Sequence, residues 1–180
     1  MNPADLVKIR EREQRAACEV LGVKEVVFLG YPDQGLEDTS EFRKEAVRLI
    51  RKYRPETIAT TDPYRKYLWH RDHRITGRVV LDAIFPFARD YWAYPDLIEQ
   101  GYMPHKVKEV LLWGTEDPNY CVDITDVFDT KLAALRKHES QVGSQPFEEM
   151  KERVAERGRL HAEGQKFDVG EAFHRLEILR

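Results

Sequence analysis

Segments with a charged, helix-period pattern alternate along this chain with short apolar runs, and that alternation points to an α/β fold with a largely parallel sheet. Pro3 to Leu21 places Leu6, Ile9, Ala16, Ala17, Val20 and Leu21 near one helical face, and Gly22 supplies the stop. Glu25 to Gly30 reads as a buried strand running into the turn Tyr31–Gly35. A second helix starts near Ser40 and carries Phe42, Ala46, Leu49, Ile50 and Tyr53 on one stripe before Pro55 ends it. Thr57–Thr61 is the next strand, followed by a polar, aromatic loop to Trp69 and a third helix opening near Asp72 or His73. Phe85 to Lys106 reads as a long loop with one short helix. Val107–Trp113 and Tyr120–Ile124 read as strands. Asp126 suits an N-cap, and a final charged helix follows Pro146.

With 180 residues, 42% of them hydrophobic, the chain can bury the core of one domain, residues 1–180. A net charge of -3, with both signs interspersed, gives no basic footprint for nucleic acid and no stripe for a membrane surface. No apolar run reaches the length of a membrane span, so none is expected. Cys18 and Cys121 stand apart, which suits reduced thiols in a cytoplasmic protein. One feature breaks the pattern: the chain opens on a helix, where a doubly wound domain opens on a central strand. Either the fold is a different one, or its first strand-helix unit is absent.

The cluster His70-Arg71-Asp72-His73 lies between a strand-plus-loop and a helix, where ligands of open α/β sheets bind. His73 suits a neutral imidazole ligand to zinc. His70 suits a charged donor to a developing oxyanion, with Asp72 fixing its tautomer and keeping it protonated. The bland alternative is a solvated pair of histidines in a surface loop. Asp62, Tyr64, Arg65, Tyr67 and Trp69 would line a cleft with polar and stacking groups, or simply form an amphipathic loop.

The stretch TDPYRKYLWHRDHRITGRVVLDAIF resembles the second motif of the PIG-L/LmbE deacetylases, H-P-D-H followed by a helix, with Arg71 in place of the usual proline. Arg10-Glu11-Arg12-Glu13 with Leu21-Gly22-Val23, FLGYPDQGL from Phe28, and PHKVKEVLLWGTEDPNYCVDIT with ALRKHESQ are similar to further stretches of that family. The resemblance implies a Rossmann-like fold, mostly parallel, with flanking helices, and a zinc-dependent hydrolase that removes the acetyl group from an N-acetylglucosamine-type substrate. It makes His73 a Zn2+ ligand, His70 the oxyanion-stabilising histidine and Asp72 its supporting carboxylate. Arg10 corresponds to a substrate-binding arginine, or is a helix-surface ion-pair partner. The resemblance also implies a homo-oligomer acting on a small N-acetylated sugar or glycoside.

The family's first motif, A-H-P-D-D-E, supplies a histidine, a zinc-binding aspartate and the general-base aspartate. This sequence has no histidine before His70 and no Asp-Asp pair. The expectation is therefore an N-terminally incomplete domain lacking its first strand-helix-strand unit, with only His73 matching a metal ligand. The alternative is a non-catalytic remnant that binds a carbohydrate or a partner. Asp33 and Asp123 suit turn or capping roles, and His105, His138, His161 and His174 structural or solvated ones.

Overall fold

The computed structural model describes residues 2–178. The chain forms two compact units, one of Met1–Leu29 with Cys121–Glu171 and one of Gly30–Tyr120 with Ala172–Arg180. Among the described residues the sheet is mixed and four-stranded, in the order β1-β2-β4-β3. Its strands are β1 (Thr57–Thr61), β2 (Glu109–Trp113), β3 (Tyr120–Asp123) and β4 (Gly170–Glu177). The fold is of the α/β class expected.

In the second unit, α2 (Ser40–Tyr53) begins where Thr39 accepts the Phe42 N–H at 3.1 Å and ends at Arg54, whose φ of 49° closes the helix through the Ile50 carbonyl. It buries Phe42, Ala46, Val47 and Ile50. The α3 helix (Arg71–Ile84) buries Val79, Ala83 and Ile84, and both helices meet Val110 and Leu112 of β2 in one core. Val47 and Val79 are wholly inaccessible, and such side chains contribute about 1.5–3 kcal/mol each. Parallel pairing of β1 with β2 sets Thr61 opposite Trp113, so the loops after both strands emerge at one edge. Gly77 lets α3 lie close to that edge: a Cβ there would overlap the Thr61 carbonyl and stand 2.9 Å from Pro63 Cδ. Arg51, 2% exposed, donates to the carbonyls of Phe87, Ala88, Asp90 and Ala93.

The first unit is helical: α1 (Pro3–Val20), α5 (Phe128–Arg136), α6 (Glu139–Val142) and α7 (Phe147–His161). Glu13 is buried on α1 and accepts both the Ser140 N–H and hydroxyl at 2.7 Å, which tethers α1 to the first turn of α6. Gly22 closes α1 at φ 69°, with the Val23 N–H returning to the Cys18 carbonyl.

Four expectations need correction. Glu25–Gly30 pairs with no strand among the described residues; Val27, Phe28 and Leu29 stay exposed, and the Arg15 guanidinium covers the Phe28 ring. An apolar run becomes a strand only where a neighbour takes its backbone groups. The sheet is less parallel than expected because β4, an unforeseen strand, runs antiparallel to β2. Its eight residues, GEAFHRLE, lack the strict alternation of apolar and polar side chains that would announce a strand. Phe85–Lys106 holds a 3-10 turn at Phe87–Arg89 as well as the short helix α4 (Pro95–Glu99). Asp126 lies inside a 3-10 turn instead of capping a helix, while Asp123 accepts the Thr125 N–H.

A histidine pair at the start of helix α3

His70 is the N-cap of α3, and its Nδ1 accepts the backbone N–H of Asp72 at 3.2 Å. That bond occupies the Nδ1 lone pair, so in this geometry the ring hydrogen lies on Nε2, where it can be donated. The sequence reading gave the hold on His70 to the Asp72 carboxylate. In the structure the hold comes from the Asp72 backbone, while Asp72 Oδ2 accepts the Gln34 N–H at 2.6 Å. Asp72 is 7% exposed, and its Oδ1 is buried without a hydrogen-bond partner among the described residues. Gln34 adopts φ 61° at the tip of the Tyr31–Gly35 turn, which Arg71 also grips through the Leu36 carbonyl and the Glu37 carboxylate. Arg71 thus has a use that proline would lack.

The His73 ring lies 5.2 Å from the His70 ring, with its own surface open to solvent. Partial desolvation by its neighbours pushes its pKa below the ordinary value, and any positive charge on His70 acts in the same direction, against the opposing pull of Asp72 and Asp33. Neutral imidazole is the form that a metal requires. The aromatic contacts on His73 come from Trp69 at 4.9 Å and Trp113 at 5.5 Å, both near perpendicular.

Of the loop residues singled out from the sequence, Asp62 is buried and Trp69 half-buried, while Tyr64 and Tyr67 are 68% and 94% exposed. A cleft of about 470 Å³ is lined by Asp62, Tyr64, Arg65, Glu116 and His174 among others; neither site imidazole lines it. Arg10 is exposed on α1, in the first unit. His105 bonds the Pro55 carbonyl at 2.7 Å and His174 the Asp117 carbonyl at 2.6 Å. Sequence reasoning missed Gln34 and Trp113. The backbone of the first and the ring of the second reach the site only through the chain's three-dimensional path, and neither residue type signals chemistry.

Deacetylases of the PIG-L/LmbE type are generally metal-dependent. Among the described residues, however, no group of three or more His, Cys, Asp or Glu side chains converges on a common point. Catalytic zinc takes three protein ligands and a water. His73 offers one donor, so the described residues do not fit a complete zinc centre.

Comparison with known proteins finds a family model and several proteins named as deacetylases that are similar to this chain. Residues 1–84 match the family model described as PIG-L, GlcNAc-PI de-N-acetylase. The chain is similar to the diacetylchitobiose deacetylase of Thermococcus kodakarensis, with 40% identity over 137 residues, 76% of this chain and 51% of that protein. It is also similar to a probable N-acetyl-alpha-D-glucosaminyl L-malate deacetylase 2 of Bacillus cereus, with 30% identity over 78% of this chain and 60% of that one. The solved N,N'-diacetylchitobiose deacetylase of Pyrococcus horikoshii superposes with a TM-score of 0.87 at 30% identity, covering 97% of this chain and 65% of that one. The chain therefore spans about half the length of the Thermococcus relative.

Proposed function

We propose that this chain, which belongs to the PIG-L/LmbE family, serves the removal of an acetyl group from an N-acetylglucosamine-type sugar. One observation carries the reading: two imidazoles lie 5.2 Å apart at the start of α3, just beyond the carboxyl end of β1, one locked as an Nε2–H donor and the other biased to neutrality.

In amide hydrolysis, water adds to the acetamide carbon, negative charge gathers on the carbonyl oxygen, and the C–N bond breaks as the nitrogen takes a proton. The His70 Nε2–H donates to that oxygen as its charge grows, the moment at which a pre-aligned donor contributes most. Asp72 holds His70 through its backbone, and Arg10 is a candidate contact for the sugar. His73 supplies one imidazole toward the zinc ion of the family, and the described residues bring no cluster of three donors together around it. The proposal extends to a single deacetylase domain, a homo-oligomeric assembly and a cytoplasmic setting, the last supported by two cysteines that are both free thiols. No helix among the described residues is long and apolar enough to cross a membrane.

The incomplete donor set favours a second reading, a carbohydrate-binding module without turnover. Acetate release from diacetylchitobiose and N-acetylglucosamine, with and without added Zn2+, separates the two. Release that His73→Ala abolishes supports the deacetylase. Saturable binding of diacetylchitobiose with no acetate from folded protein would replace it with the binding module.

A further inference from the structure

Trp69 sits between the loop after β1 and the His73 ring, and contacts of several kinds fix it. Its Nε1–H donates to the Asp62 carbonyl at 2.9 Å. The Arg65 guanidinium lies 4.5 Å over the indole ring, and Arg65 in turn pairs with Glu116 at 3.5 Å. The Trp113 ring meets it at 6.1 Å and 74°. Gly114, at φ 71°, closes the space beside the ring: a Cβ there would stand 3.1 Å from Trp69 Cη2 and 3.2 Å from Cζ2. An indole so engaged has its face occupied by a cation, which leaves it poorly suited to stack on a sugar.

What it does contact is His73, at 4.9 Å and 78°, while Trp113 meets the same imidazole at 5.5 Å and 73°. Near-perpendicular approach is the arrangement that the ring quadrupole favours. It matters here because the torsion that spins an imidazole about its Cβ–Cγ bond is broad and two-fold. On the open rim of a helix, little but the neighbouring His70 ring would otherwise hold the plane of the imidazole, and that plane sets the directions in which Nδ1 and Nε2 can point. We propose that Trp69 is a positioning residue that, braced by Arg65, Asp62 and Gly114, sets the orientation of the His73 ring. The use of that orientation in deacetylation rests on the function proposed above; the orientation itself does not.

The test reads the ring directly, by NMR of the labelled chain without turnover. In the unsubstituted protein, the His73 ring protons are expected as one set of signals with NOEs to both Trp69 and Trp113. Trp69→Leu should bring their ring-current displacement toward unstructured values and split or weaken the Trp113 NOEs, while methyl signals of Val79 and Leu112 stay native. Gly114→Ala, which keeps the indole but crowds it, should also move the His73 signals. Unchanged His73 signals in Trp69→Leu with native core methyls would overturn the proposal. If that variant does not fold, unchanged His73 signals in folded Gly114→Ala overturn it equally. Acetate release measured on the same samples stands apart: a chain with the His73–Trp69 NOEs but no hydrolysis retains the positioning role and loses the deacetylase reading.

Discussion

Replacing His70 by Asn separates two jobs that its ring combines. Asn is among the best N-caps, and its side-chain oxygen can take the Asp72 N–H that Nδ1 now accepts. The helix should therefore keep its stability, within a few tenths of a kcal/mol by urea titration, while loss of the Nε2–H lowers the deacetylation rate about 10²–10³-fold. His70→Ala loses both, with about 1 kcal/mol of stability as well; equal rates for His70→Asn and the unsubstituted chain would remove His70 from the chemistry. His73 gives a pH prediction. Its folded pKa lies below the ordinary 6.5, so just under that value the unfolded chain binds more protons than the folded one. Stability contributed by the neutral ring is then present above 6.5 and declines as pH falls below it. His161 is shifted in the same direction, by burial first, so the comparison must isolate His73. The gap in urea midpoint between the unsubstituted chain and His73→Gln should change between pH 7.5 and pH 5 and stay constant above pH 7.5.

Among the elements, α3 and the loop after it depend on two contacts that fail in different ways. Gly77→Ala sets a methyl group against the Thr61 carbonyl and Pro63, forcing α3 away from β1. Overpacking of this kind costs about 1–3 kcal/mol, and thermal unfolding should show it, together with displaced His70 and His73 signals. Arg51→Met takes the guanidinium from the Asp90 and Ala93 carbonyls, while the Phe87 and Ala88 carbonyls keep the Asp90 and His105 N–H groups. Each of these part-buried acceptors then costs up to about 1–3 kcal/mol, and hydrogen exchange across residues 85–94 should quicken more than across β1 or β2. An unaltered exchange pattern would mean that water replaces the guanidinium at little cost. The helices were largely legible because caps and stripes are local: Ser40 opens α2 as expected, and α3 opens one residue before the expected Asp72. The strands were less so. Whether Glu25–Gly30 joins a sheet depends on a neighbour that no local pattern encodes, and β4 is recognisable chiefly by pairing Leu176 with Val110.

For the whole molecule, the two units expose different kinds of surface. In the first, Val27, Phe28 and Leu29 lie open beside one another; in the second, β1 is the terminal strand of the sheet. Unpaired strand edges and contiguous apolar surface promote association. Sedimentation should show concentration-dependent self-association, and Phe28→Lys should reduce it; a monomer at all concentrations would count against an oligomer built on that segment. At this scale the sequence was legible in its motifs more than in its chemistry. The histidine pair was identifiable from its spacing and from the family resemblance, but the way it is held was not, because Gln34 and Trp113 are brought to it from distant parts of the chain. Asp72 joins His70 to the first of those parts: its amide donates to the His70 ring and its carboxylate accepts the Gln34 N–H. Anything that pries the Gln34 turn outward must pull on the same residue that keeps the His70 hydrogen in place, so shifting that turn and disarming the donor become a single mechanical event.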